Sequence, residues 1–218
     1  SVYSVSADGM AVPTRNSLIT TKAKTPYTLV QEVRQAFSKS QDEFLFIGRE
    51  PFGGEQALLL SRNYTDSIIV DEICKITYDK EFPSWMINFG KATYNQQKQV
   101  LAFAYQLYPT IQFFKLEEDH IFKSSLPQSQ YLELQTEGAD IWEQNCVQYK
   151  DITSNENHIY ALYWGETFET VYRERKNNAG TSQIMQYDWD GNLLSIYKVD
   201  KCLETVGVSS DDGYIICY

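Results

Sequence analysis

The chain has 218 residues, enough for one large domain or two small ones with a core that folds unaided. Hydrophobic residues make up 43% and aromatic residues 14%, with 16 Tyr, 11 Phe and 4 Trp, which excludes a disordered tail, a coiled coil and a collagen-like repeat. A formal net charge of -10 repels phosphate backbones and anionic lipid heads, so neither nucleic-acid binding nor polybasic membrane docking is expected.

The opening SVYSVSADG lacks a basic stretch followed by an apolar one, so no secretory signal is visible, and the start at Ser1 without Met suggests a processed or trimmed N-terminus. Thr28-Leu29-Val30-Gln31 has a capping-box spacing, and Leu29, Val33 and Phe37 follow at i, i+4 and i+8. Residues 28–38 therefore read equally as a short helix or as an extended connection. Beyond them, β-branched and aromatic runs recur: EFLFIG (43–48), QALLL (56–60), SIIV (67–70), QVLAFAYQL (99–107), TIQFFKL (110–116), HIYALYWG (158–165), QIMQYDW (183–189), NLLSIYKV (192–199) and YIICY (214–218). Turn clusters separate them, and Asp190-Gly191 between two alternating runs is the sharpest hairpin signal. No run approaches the roughly eighteen apolar residues of a membrane-spanning helix.

A repeat organises these strands. WMINFGKATY, VLAFAYQL, TIQFFKL and HIFKSSL form one unit. CVQYKDIT, HIYALYWG, SQIMQYDW and NLLSIYKV form the next, and CLETVGVS with YIICY begins a third. The first turns of these units fall near 95, 154 and 210, a period of 56 to 59 residues. A four-stranded meander cannot bury both faces alone but becomes stable by stacking on its copies, as a β-propeller blade does. The expected fold is all-β, about four blades of antiparallel meanders in one domain (1–218), with approximate blades 1–40, 41–84, 85–144 and 145–202 and a fifth starting at 203–218. A single sandwich or barrel is the alternative, but it does not explain the repeated order of turns and strands.

The run QIMQYDWDGNLLSIYKVDKCLETVGVSSDDGYIICY resembles the strand sequence of six-bladed propellers. HIYALYWGE and GKATYNQQKQVLAFAYQLYPTIQFFKLEED resemble, more particularly, the TolB-like six-bladed propeller proteins. The resemblance covers roughly residues 40–218. It implies an exported bacterial protein, periplasmic or at the cell surface and lipid-anchored in its full-length form. Six such blades would need well over about 300 residues, so the chain reads as part of a larger propeller.

Candidate chemistry is sparse. His120 and His158 read as solvated turn residues, and no G-x-S-x-G, H-E-x-x-H or phosphate-binding glycine loop occurs. The acid pairs Asp79/Glu81, Glu117/Glu118 and Asp211/Asp212 read as solvated charge. Asp188-Trp189-Asp190-Gly191 opens like a calcium loop without the closing glutamate, and reads as a hairpin turn. Asn63-Tyr64-Thr65 fits a glycosylation triplet but reads as a turn. Cys74, Cys146, Cys202 and Cys217 include no C-x-x-C pair and read as free thiols, although a Cys202–Cys217 bridge is conceivable. No catalytic residue, metal ligand or cofactor is expected.

Aromatic residues at strand ends are the remaining candidates: Trp85, Tyr105, Tyr108, Tyr163, Trp164 and, beside them, Glu166. Rings stack on a sugar or peptide while carboxylates accept hydrogen bonds, so the expected function is a non-catalytic binding or scaffold module with a protein or glycan ligand. The ArgGluArgLys run (173–176), in a polar loop over 166–182, reads as a solvated excursion. The alternative function is a metal-dependent hydrolase or lactonase with a central-channel site, for which Asn88, Asp151 and Glu204 are the candidates.

Overall fold

Short apolar runs bounded by Gly, Asn and Asp turns pair with their sequence neighbours as hairpins. The computed structural model describes residues 36–50, 53–64, 67–78, 80–117, 120–125, 134, 141–177 and 179–218, with short strands at 3–5, 11–13, 20–23 and 28–29. In chain order the strands are β1 (Tyr3–Val5), β2 (Ala11–Pro13), β3 (Thr20–Ala23), β4 (Thr28–Leu29), β5 (Ala36–Ser38) and β6 (Glu43–Arg49). There follow β7 (Gln56–Tyr64), β8 (Ser67–Lys75), β9 (Gly90–Asn95), β10 (Val100–Tyr105), β11 (Thr110–Lys115) and β12 (His120–Ser125). After helix α1 (Ile141–Gln144) come β13 (Cys146–Ser154), β14 (His158–Thr167), helix α2 (Phe168–Lys176), β15 (Ser182–Asp188), β16 (Leu193–Val199), β17 (Val206–Val208) and β18 (Ile215–Cys217).

Strands β9–β12 and β13–β16 each form a four-stranded antiparallel meander, and the β17–β18 hairpin repeats the beginning of one. A further meander runs from β5 to β8; β4 shares the edge of β6 that β5 occupies, and β3 adds to β8 in parallel. These sheets are β-propeller blades, about four of them, as the repeat predicts.

Side-chain alternation turns each sheet into a two-faced layer. Leu101, Phe103 and Tyr105 of β10 pack with Leu45, Ile47, Leu58 and Leu60 of the preceding sheet. Their neighbours Val100, Ala102 and Ala104 pack with Ile159, Ala161, Met185 and Tyr187 of the following one. Strand β14 does the same: Ile159 and Ala161 face back, while Tyr160, Leu162 and Trp164 meet Leu203 and Val206 ahead. The blades therefore stack face to face.

The first turn of each blade also grips the next. Asn95 Nδ2 donates to Glu156 O at 2.9 Å, and Asn155 Nδ2 donates to Ser209 O at 3.1 Å. Thr93 and Ser154 share a hydroxyl hydrogen bond of 2.6 Å, and Gln96 Nε2 reaches back to Lys39 O at 3.1 Å.

The helix considered over 28–38 is replaced by strands β4 and β5 at its two ends, with 30–35 outside the described residues. Phe37, expected on a helix face, lies 6.1 Å from the Tyr94 ring across the blade interface. The polar loop expected over 166–182 contains α2. All four cysteines are free thiols, Cys217 exposed.

Candidate functional site

The blades have two unlike ends. One carries the first turns just described. The other carries the β6–β7 turn, the β8–β9 connection, the β10–β11 turn, α2 and the β16–β17 connection. Backbone hydrogen bonds make this second end continuous: Trp85 N to Gly54 O (2.7 Å), Gln106 N to Phe89 O (2.8 Å) and Gln148 N to Gln106 O (2.7 Å). The chain direction of the repeated strands brings Trp85, Tyr105, Tyr108, Tyr163, Trp164 and Glu166 all to this end. They are not equally accessible. Tyr105, Tyr108 and Trp164 are buried, Tyr163 and Trp85 are half-buried, and Glu166 is exposed.

Asn88 organises the region beside Trp85. Its Oδ1 accepts from Tyr78 N (2.7 Å), and its Nδ2 donates to Phe82 O (2.7 Å) and Ser84 O (2.9 Å), folding the β8–β9 connection onto the sheet. Gln56 Nε2 donates to Asn88 O at 2.5 Å. Beneath the connection, Tyr78 stacks on Tyr108 at 4.0 Å, and Tyr105 meets both rings edge-on and donates its hydroxyl to Gln112. Burial pushes the Tyr105 phenol well above its ordinary pKa, so it stays a donor.

The Arg49 guanidinium lies 4.6 Å from the Trp85 ring centre and 4.7 Å from that of Phe89. Stacking on rings pre-orients its planar fork of donors. Nearby, Trp85 Nε1 and Gln56 Oε1 are shielded from solvent and have no hydrogen-bond partner among the described residues. Such groups are costly to leave unsatisfied, so this donor and acceptor can hold a polar ligand or water. Exposed Phe82 and Met86 flank Trp85 in the chain.

On the α2 side, Tyr163 Oη donates to Gln148 Oε1 at 3.0 Å, and Trp164 Nε1 donates to Leu203 O at 2.7 Å. Lys150 Nζ sits 4.6 Å from the Trp164 ring and 3.0 Å from Glu204 Oε2, and Arg175 pairs with the other Glu204 oxygen. Asp151 joins three successive first strands of the blades. It takes Lys91 Nζ at 2.9 Å, the Thr205 hydroxyl, and Val206 N at 3.1 Å. Asn88, Asp151 and Glu204 thus have their polar groups committed at three separate places.

At the first-turn end, His158 is no solvated turn residue. Its Nδ1 lies 2.9 Å from Asp212 Oδ2, and the other carboxylate oxygen of Asp212 accepts from Tyr160 Oη (2.9 Å) and from Asn155. This end also has a cavity of about 270 Å³ that Lys98, Lys115 and Trp189 help to line. Asp188 acts as the turn residue its DWDG motif predicts, with Oδ1 accepting from Asp190 N (3.0 Å) and Asn192 N (2.8 Å).

Sequence reasoning missed Arg49, Gln56, Phe89 and Lys150, because each matters through neighbours distant in sequence. It also missed α2, although its signal was present: Thr167 before Phe168, Val171 and Tyr172 at i, i+3 and i+4.

Comparison with known proteins agrees with this architecture. Residues 83–211, more than half of the chain, match the family model described as TolB-like 6-blade propeller-like. A search of the curated proteins finds no match. Among solved structures, a member of the DUF4221 family from Bacteroides vulgatus superposes with a TM-score of 0.55 at 13% identity, covering 84% of this chain and 56% of its own. A putative 6-phosphogluconolactonase from Bacteroides uniformis superposes with a TM-score of 0.51 at 8% identity, covering 99% of this chain and 56% of its own. The chain thus spans little more than half the length of either, and the likeness at these identities is one of fold.

Proposed function

The chain belongs to the TolB-like 6-blade propeller-like family, and from that premise we propose that it is a non-catalytic binding module of an exported envelope protein, recognising a protein or glycan through the end that carries Trp85 and α2. One observation carries the reading. The unpartnered Trp85 Nε1 donor and Gln56 Oε1 acceptor occur together beside an arginine held against two rings. Peptide amides and sugar hydroxyls both supply an acceptor and a donor, and both stack on aromatic faces. In this reading Trp85, Tyr163 and Glu166 make contact, while buried Tyr105, Tyr108 and Trp164 hold their positions. Export is the setting usual for the family resemblance. The commitment of Asn88, Asp151 and Glu204 to protein partners favours binding over channel-metal hydrolysis.

Peptide and glycan arrays probed with the wild type, Trp85→Ala and Lys98→Ala test this. The expected result is a set of hits that Trp85→Ala loses and Lys98→Ala, at the opposite end, retains. Hits that survive Trp85→Ala, or an absence of hits, would overturn it.

A further inference from the structure

The shielded polar groups beside Trp85 belong to one cluster. Arg49 links them: it lies opposite Gln56 in the β6–β7 register, and its guanidinium sits 4.6 Å from the Trp85 ring centre. The amides of the cluster are otherwise committed. Asn88 Oδ1 accepts from Tyr78 N, Asn88 Nδ2 donates to Phe82 O and Ser84 O, and Gln56 Nε2 donates to Asn88 O. Of the indole and amide groups of Trp85, Gln56 and Asn88, one donor and one acceptor lack a partner among the described residues: Trp85 Nε1 and Gln56 Oε1. Gln56 as a whole is 1% exposed.

One donor and one acceptor are the complement of a single peptide group, which carries one C=O and one N–H. A sugar ring brings several hydroxyls, and burying it here would leave most of them without partners, each at a cost. An acetamido sugar carries the same amide but brings its hydroxyls with it. Arg49 moreover covers one face of the Trp85 ring, which closes that face to a stacking sugar. The rim is apolar: Phe82 and Met86 are 37% and 36% exposed, and Pro83 is exposed too. Met86 lies against Gly53, where an added Cβ would stand 3.2 Å from its Sδ. Its unbranched chain adapts readily to an irregular apolar neighbour, so it can shift to admit a ligand to the shielded pair.

We propose that the ligand at this end is a protein segment, one peptide group of which donates its N–H to Gln56 Oε1 and accepts from Trp85 Nε1, with an apolar side chain against Phe82 and Met86. The match is between neutral groups, so the net charge of -10 does not oppose it. The inference rests on the binding-module reading and narrows its ligand from a protein or glycan to a protein.

Arrays of capped linear peptides and of glycans, probed with the wild type and Trp85→Ala, test it. Every Trp85-dependent hit is expected among the peptides, in sequences containing Leu, Met or Phe. N-methylation of the strongest peptide, one backbone nitrogen at a time, should weaken its binding about tenfold at one position, where the N–H accepted by Gln56 is lost. The double variant Phe82→Ser/Met86→Ser should weaken the same peptide about fivefold or more. Both side chains are exposed, so thermal melting monitored by circular dichroism should not change. Trp85-dependent glycan hits would overturn this inference and leave the binding-module reading standing. Peptide binding indifferent to N-methylation at every position, or to the rim variant, would do the same, whereas no Trp85-dependent hit on either array would remove both.

Discussion

Asp212 shows how little a residue's role depends on its immediate neighbours. It lies at φ 59, a left-handed conformation in the β17–β18 turn, and its carboxylate gathers Asn155, His158 and Tyr160 from the preceding blade. Burial tends to raise its pKa, but the hydrogen bonds from Asn155, His158 and Tyr160 outweigh burial and hold it below the ordinary carboxylate value. Burial and the Asp212 carboxylate in turn push the Tyr160 phenol up, so Tyr160 remains a donor. A carboxyl whose pKa is lower folded than unfolded adds stability above its unfolded pKa and loses it as pH falls through the folded value. Urea midpoints should therefore fall on acidification below the carboxylate range, and Asp212→Asn should remove part of that fall. Identical pH slopes in the two proteins would refute this account. His158 and Asp212 are 54 residues apart, so their sequence context shows only two polar turns. Asp188, by contrast, satisfies groups within its own turn, and its role was legible in DWDGN.

At the scale of elements, alternation was legible and close approach was not. VLAFAY reads as a strand from its composition, and β10 places Phe103 and Ala104 on opposite faces, as the period of two requires. Nothing local reveals that Gly90, opposite Tyr105 at the start of β9, has no room for a methyl group. A Cβ there would lie 2.2 Å from Ala104 O and 2.6 Å from the Phe103 ring. Gly90→Ala should destabilise the protein by about 1–3 kcal/mol, read as a lower urea midpoint at unchanged slope. Helix α2 was hidden for a different reason. Its hydropathy is low and only Val171 is fully buried, so its apolar signal is confined to Phe168, Val171 and Tyr172 among charged residues, while the contact of Phe168 with Trp164 and the tie of Arg175 to Glu204 exist only in the fold.

For the whole molecule, stability comes from the faces between blades. Phe103 is fully buried between the first two full meanders, whereas Ile216 on the outer face of β18 is 68% exposed. Phe103→Ala should cost about 3–5 kcal/mol, and Ile216→Ser about 0.5 kcal/mol or less. Comparable costs measured by urea unfolding would mean that the layers do not bury the core as described. By itself the sequence determined the all-β character, the repeat and its stacking, because hairpin turns and alternating side chains are local properties of the chain. Only the tertiary structure decided which polar groups meet: Asp151 with Lys91 and Thr205, His158 with Asp212, and Arg49 with Trp85 and Phe89. Those contacts join residues brought together by how the blades stack and the connections between them fold, and no local pattern encodes that geometry.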